Sequence, residues 1–207
     1  MTLLAEPFNP AQVLAGSHRT DFEVIANWIP QGAHVLDLGC GEGTLLHKLI
    51  TERGVTGYGV EKNDANVAAC VAKGLPVLQQ DLESGLAWFE DDSFDVAVLS
   101  LTLQAVHETE NIMREIVRVG KKAIVSVPNF GFWQHRIAVM RGRMPVSKTL
   151  PYEWYNTPNV RVLTLKDFEI LARDVGCQIT RRAVLHDEQT VNFLPNLRGS
   201  LAVFEMQ

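Results

Sequence analysis

The stretch VLDLGCGEGTLL, Val35 to Leu46, decides the fold. Val35 and Leu36, ahead of Asp37, form a β-like apolar run, and Thr44, Leu45 and Leu46 restart with helical apolar spacing. Gly39, Gly41 and Gly43 fall between them, two residues apart, in the turn from a buried strand to a helix. Glycine in such a turn serves a backbone that needs positive φ, or one that a ligand or a helix approaches closely. A ligand crossing this turn faces the amino end of the following helix.

Outward from that turn, strand and helix patterns alternate. Upstream, RTDFEVIANWIP places Phe22, Ile25, Ala26 and Ile29 at helical spacing, and Pro30-Gln31-Gly32 stops the helix. Downstream, the pattern predicts a helix over Glu42–Thr51, a strand in VTGYGVEK and a helix in NDANVAACVAKG. Asn63 or Asp64 caps that helix and Gly74 stops it. PVLQQD reads as a third strand, the continuously apolar FDVAVLS as a fourth, TENIMREIVRVG as a helix and KAIVSVPN as a fifth strand. The rhythm breaks over about residues 130–162, which are rich in aromatics, arginine and proline. TLKDFEILARDVG then restores a helix, and CQITRRAVL and SLAVFEMQ read as two late strands forming a hairpin-like pair at a sheet edge. The expectation is an α/β fold, a doubly wound, mostly parallel sheet in one domain, residues 18–207. It carries an insertion after strand five, and residues 1–17 read as a loose leader.

The chain has 207 residues, 46% hydrophobic and 21% charged, which fits one ordinary globular domain. A net charge of −5 gives no overall electrostatic footprint for nucleic acid. Cys40, Cys70 and Cys177 are odd in number and widely spaced, so they suggest neither a disulfide framework nor a zinc site. The six histidines are scattered, and no metal site is expected. The amino terminus lacks the basic start and long apolar centre of a signal peptide, and no stretch reaches membrane-span length. These features read as cytoplasmic.

In doubly wound sheets, ligands sit beyond the carboxyl ends of the strands at the switch in strand order. Glu61 ends the second strand about 20 residues past the glycine turn, the spacing of an acid that grips ribose hydroxyls. Asp81 ends the third strand, where a side chain reaches a base or a nearby polar edge. Each acid alone also reads as a solvated strand terminus or a helix cap; together with Asp37 they flank one crevice. A dinucleotide site wants G-x-G-x-x-G, whereas the chain has G-x-G-x-G, and a G-x-x-x-x-G-K-[ST] phosphate loop is absent.

VLDLGCGEG, with Glu61 and Asp81 behind it, resembles the motif set of class I S-adenosylmethionine-dependent methyltransferases. That resemblance implies a seven-stranded Rossmann-like sheet whose last strand is antiparallel and inserted beside the sixth. It implies S-adenosylmethionine or S-adenosylhomocysteine as ligand. Asp37, Gly39, Cys40, Gly41 and Gly43 would lie against its methionine and ribose part, Glu61 with Lys62 at the ribose, Asp81 with Leu82 at the adenine, and Ser100 with Leu101 at the methionine end. RTDFEVIANWIP, the block from Ser100 to Trp133 and above all LPYEWYNTPN resemble the MetW family of methionine biosynthesis proteins more narrowly. That likeness implies a role beside a homoserine O-acyltransferase of the MetX type, and a crevice able to report end-product level to it. The alternative is an enzyme that methylates a small acceptor, and a third reading is adenosine-compound binding with neither catalysis nor partner. One departure stands out: RVGKKAIV replaces the L-x-P-G-G loop that methyltransferases carry before strand five.

Methyl transfer from a sulfonium is an in-line displacement that needs positioning and exclusion of water, and a base only where the acceptor must lose a proton. His107, beyond the fourth strand, is one catalytic candidate; its other reading is a surface histidine opening a helix. Tyr155, with Tyr152 and Trp154, is the second. Their loop is expected over the crevice mouth, where aromatic faces shield a sulfonium, unless they fill the insertion's own small core. FGFWQHRIAVMRGRMPVSK is apolar on Trp133, Ile137 and Met140 and basic through Arg136, Arg141, Arg143 and Lys148. It reads as a lid, a partner-docking face or a plain insertion, with a membrane-surface helix the weakest fit. The oligomeric state is not legible.

Overall fold

The computed structural model describes residues 19–207, so the expected leader lies outside the described residues. Helix α1 (Thr20–Trp28) leads into strand β1 (His34–Leu38), and the glycine turn follows. Then come α2 (Thr44–Arg53), β2 (Thr56–Glu61), α3 (Asp64–Ala72), β3 (Val77–Gln79), β4 (Val96–Ser100), α4 (Thr109–Val119) and β5 (Ala123–Pro128). After β5 the chain forms α5 (Trp133–Met140), a long irregular stretch, α6 (Leu165–Asp174), β6 (Ile179–His186), β7 (Gln189–Thr190), α7 (Pro195–Arg198) and β8 (Leu201–Met206). Helix α2 starts two residues later than its sequence pattern predicts, because Gly43 is left-handed at φ 74° and cannot be its first turn. Asn63 caps α3, its side chain accepting the Ala65 and Asn66 N–H groups.

The strands form one sheet in the order β3-β2-β1-β4-β5-β8-β6-β7. Pairs β1–β2, β1–β4, β2–β3 and β4–β5 are parallel, whereas β8 runs antiparallel to both β5 and β6. One expectation is corrected here, the strand count, and one is refined. The late strands do pair antiparallel toward one edge of the sheet. As the resemblance implies, the last strand β8 is inserted beside β6, between it and β5, where all six of its residues are buried; what the simple hairpin reading lacks is β7 and α7 between them. The sheet also holds eight strands rather than seven. The extra one, β7, is a two-residue return of β6 through Leu185–Thr190 and His186–Gln189, too short to show any periodicity.

Alternate residues of the central strands feed two cores, one on each face. Val35, Val96, Val98, Ile124 and Val203 pack with Ile25 and Ile29 of α1 and Leu45 and Leu49 of α2. Leu36, Leu99, Val125 and Phe204 pack on the other face with Ile112, Met113 and Ile116 of α4 and Phe168 of α6. Strands apolar on both sides, as in a buried parallel sheet, follow from this. The replaced loop before β5 lies at the far end of the sheet, where Gly120 bridges Phe94 just ahead of β4. The strand order reverses between β1 and β4, and the carboxyl ends of those two strands open the crevice.

Candidate functional site

At the head of the crevice, Gly39, Gly41 and Gly43 all have positive φ, at 70°, 57° and 74°. A side chain at Gly39 would strike Thr102 at 2.6 Å, and one at Gly43 would strike Leu75 at 2.4 Å. The turn thus satisfies both reasons for glycine, left-handed backbone and close packing. It delivers α2 with no side-chain cap on its first-turn N–H groups.

Glu61 organises the turn. Its Oε2 accepts the Gly41 N–H at 2.9 Å, while Oε1 accepts those of Lys62 and Asn63, each at 2.8 Å. One carboxylate therefore clamps the glycine turn to the end of β2, and with three of its roughly four lone-pair sites used it keeps capacity on Oε2 for one more donor such as a hydroxyl. Asp81 lies two residues past β3; its Oδ1 accepts the Glu83 N–H at 3.0 Å, and Lys62 Nζ stands 3.5 Å from its Oδ2. Leu82 follows and packs against the core. Cys40 and Cys70 lie under the turn, both thiols near the Gly41 carbonyl at 3.7 and 3.2 Å. Burial pushes the Cys40 thiol far above its usual range, which makes it a packing group rather than a nucleophile.

Asp37 is 2% exposed, and its Oδ2 has no hydrogen-bond partner in the protein. Burial pushes its carboxyl up to about 7, opposed by the Arg19 charge and reinforced by Glu61. An orphaned buried carboxylate oxygen at a strand end is a receptor for a cation. Its chemistry suits an ammonium, as the remaining acceptor capacity of Glu61 suits a hydroxyl.

The sequence pattern missed two residues that engage Ser100. Arg19 donates to Asp21 through Nε at 2.8 Å and Nη2 at 2.6 Å, and its Nη2 also reaches Ser100 Oγ at 2.8 Å. Asp21 is 1% exposed and accepts the Ser100 and Ser126 hydroxyls at 3.1 and 3.2 Å. The Ser100 hydroxyl is thereby engaged toward α1, and Leu101 beside it is left-handed at φ 50°. Only a basic and an acidic residue two apart before a helix could have signalled this, a pattern common on surfaces.

The two catalytic candidates stand differently. His107 is largely exposed, and both its N–H and its Nδ1 lie against Glu83 Oε1, at 2.6 and 3.2 Å. That places it beside the turn after Asp81. Tyr155 and Trp154 are each 70% exposed and meet edge to face at 5.8 Å, so neither fills a core of the insertion. Their segment is tied back to the loop after β4 by Val160 and Arg161 N–H bonds to the Gln104 carbonyl. On α5, Trp133, Val139 and Met140 are exposed, and His135 is buried. His135 bonds the Asn129 carbonyl at 3.0 Å and Ser147 Oγ at 2.9 Å, and burial lowers its pKa. Among the described residues, no helix is long and apolar enough to cross a membrane.

Comparison with known proteins agrees with this geometry. A family model described as methionine biosynthesis protein MetW matches residues 19–206. The chain is 40% identical over 197 residues to the bifunctional methionine biosynthesis protein MetXA/MetW of Rhodopirellula baltica, covering 88% of this chain and 32% of that protein. It thus spans about a third of the length of the curated relative it matches. Among solved structures, a SAM-dependent methyltransferase from Archaeoglobus fulgidus superposes with a TM-score of 0.70 at 14% identity, over 95% of this chain and 96% of that one. The [4+2]-cyclase SpnF superposes with a TM-score of 0.66 at 16% identity, over 90% and 79% of the two chains. At such identities the likeness establishes the fold, the class I methyltransferase fold, and the cyclase illustrates that this fold serves more than one chemistry.

Proposed function

This chain belongs to the MetW family of methionine biosynthesis proteins, and from that premise we propose that it binds S-adenosylmethionine and acts as the partner of a homoserine O-acyltransferase. The nucleoside lies over Gly39–Gly43, its ribose diol on Glu61, its adenine beside Asp81 and Leu82, and its ammonium toward Asp37. The observation that carries the ligand assignment is Glu61, whose carboxylate at the end of β2, the strand next to β1, holds Gly41, Lys62 and Asn63 at once. The reading of the partner rests on the relative from Rhodopirellula baltica, whose name joins MetXA and MetW in one protein while this chain covers 32% of it. Fusion of two functions in one chain supports association of the separate proteins, since a tether supplies only effective concentration to an interaction already present.

In this reading the crevice is a ligand sensor rather than a reaction chamber. His107 is held by Glu83 on the surface, and Asp21, the carboxylate beside Ser100, is already occupied by Arg19 and two serine hydroxyls. The test joins calorimetry with S-adenosylmethionine to co-purification of the chain with the acyltransferase of the same cell. Binding, complex formation and no release of S-adenosylhomocysteine are the expected results. Turnover of the sulfonium in the presence of cell metabolites would instead make the chain a methyltransferase acting on a small acceptor. Absence of binding would remove the ligand assignment altogether.

A further inference from the structure

A cavity of about 1040 Å³ reaches Leu101, the residue after β4 that the resemblance also places at the methionine end of the crevice. It shares none of Gly39, Gly41, Gly43, Glu61 or Asp81. Its floor is apolar through Phe132, Leu185 and Leu201, and its walls carry Arg19 just ahead of α1 and Asp21 on α1, with Lys148, His186 and Asp187 beyond. That volume is at the upper end of the roughly 300–1,000 Å³ typical of small-molecule sites, where an apolar floor and a few polar groups fix the ligand.

We propose that this cavity is a second ligand site, and that it takes a zwitterionic α-amino acid. The walls present fixed charges of both signs. Arg19 is locked on Asp21 by two hydrogen bonds, and Lys148 pairs with Asp187 at 3.2 Å. The second pair is exposed, with 82% of the Lys148 and 56% of the Asp187 side chain accessible, so its partners are exchanged for ligand groups at little cost. A purely anionic ligand satisfies the lysine and meets repulsion from Asp187 and Glu188; a purely cationic one meets Lys148 and Arg19. A ligand with adjacent carboxylate and ammonium satisfies both signs.

Backbone strain marks the same place. Leu101, left-handed at 50°, lines this cavity; Asp187 at 51° lines it too, but as the first residue of the two-residue β6–β7 hairpin loop, where that backbone is usual. Strained residues such as Leu101 persist only where their surroundings hold them, and they gather at ligand sites. Leu101 is held by its N–H on the Ser126 carbonyl and hydroxyl, both at 3.1 Å, and Asp187 by Thr20 Oγ1 on its carbonyl at 3.1 Å. Arg19 belongs to both sites: it lines the cavity and donates to Ser100 at the crevice's methionine end. Occupancy of one site therefore biases the other, and the coupling is reciprocal.

The zwitterion assignment stands on these walls; the choice of probes rests on the proposed role in methionine synthesis. Calorimetry on the full chain, with and without saturating S-adenosylhomocysteine, uses L-homoserine, O-acetyl-L-homoserine and L-methionine, with butyrate and butylamine as singly charged controls. At least one amino acid is expected to bind at millimolar concentration or below, with affinity that changes when S-adenosylhomocysteine is present. Lys148→Ala and Asp187→Asn should each weaken it tenfold or more while leaving S-adenosylhomocysteine binding by itself unchanged. The inference is overturned if no amino acid binds, if both variants bind like the parent, or if butyrate or butylamine binds equally well. Failure of S-adenosylhomocysteine itself to bind would strike the proposed function instead, and the two failures are read in separate titrations.

Discussion

Glu61 Oε2 accepts the Gly41 N–H at 2.9 Å, so the acid expected to hold a sugar also holds the turn against which that sugar would lie. Removing the carboxylate therefore does two things at once. Glu61→Ala loses the ribose contact and frees the Gly41, Lys62 and Asn63 N–H groups. A charge-assisted hydrogen bond contributes roughly 1.5–3 kcal/mol, so affinity for S-adenosylmethionine falls at least tenfold. Glu61→Gln keeps two acceptor lone pairs on one oxygen and should lose less. Calorimetry on both variants checks this; parental affinity in Glu61→Ala would show that the acid only scaffolds the turn.

Asp37 is a buried acid whose stability cost and whose use have opposite signs. Burial raises its carboxyl from 3.8 to about 7, so between those values the unfolded chain is ionised there and the folded chain is not. Rising pH thus draws protons from the unfolded state only, and this residue's contribution to stability falls from about pH 4 to about pH 7 and is flat above. Asp37→Asn removes that loss, and the shift corresponds to a gain of at most about 4 kcal/mol at neutral pH, vanishing below pH 4. The same variant lacks the anion for the ligand's ammonium and should bind S-adenosylmethionine more weakly. Thermal unfolding across pH, with ligand titrations at pH 8, measures both effects; a variant destabilised at pH 8 would contradict the first.

Asp21 ties α1 to the ends of β4 and β5 through Arg19, Ser100 and Ser126. Asp21→Ala leaves the Arg19 guanidinium, 17% exposed, without its partner. Breaking such a buried pair costs about 3 kcal/mol or more, which for a domain of this size lowers the melting temperature by about 6–12 °C. Scanning calorimetry measures it. A drop within error would mean that water replaces the carboxylate.

The fold and half of the candidate site were legible because they rest on local signals. The glycine spacing, the acid at the end of β2 and the strand–helix alternation each lie within a few residues of what they specify. The rest depends on distant pairing. Asp21 meets Ser100 and Ser126 across 79 and 105 residues, and nothing in TDFEVI marks it as buried. The place of β8 follows from its pairing with β5, which chain order alone does not reveal, although the family likeness did. The exposed Tyr155 and Trp154 show the converse: aromatics imply large burial by composition, yet these two are left outward.

Met140 on α5 is 85% exposed and Trp133 is 44% exposed, in a segment that also carries Arg136, Arg141 and Arg143. Trp, Met and Arg are the residues that interfaces gather at their centres. If the acyltransferase docks here, Met140→Glu weakens the complex at least tenfold, the cost of burying an unpaired charge, while the melting temperature of the isolated chain is unchanged. Co-purification with each variant, beside thermal unfolding, separates the two. An intact complex in both Met140→Glu and Trp133→Ala would move the docking face elsewhere.

S-adenosylmethionine is made from methionine, so if the chain binds it and partners the acyltransferase as proposed, the crevice would report the end product back to an early step. The effect is a coupling between two binding events and must run both ways: if the ligand weakens the complex, the acyltransferase weakens ligand binding by the same factor. Typical couplings are about 1–3 kcal/mol, or roughly 5- to 150-fold. Titrating S-adenosylmethionine into the reconstituted pair should therefore shift both the affinity of the complex and the acyltransferase rate, and Glu61→Ala should move the midpoint to higher ligand concentration. Unchanged affinity and rate at ligand saturation would rule the sensor out, because a ligand that binds both states equally shifts neither.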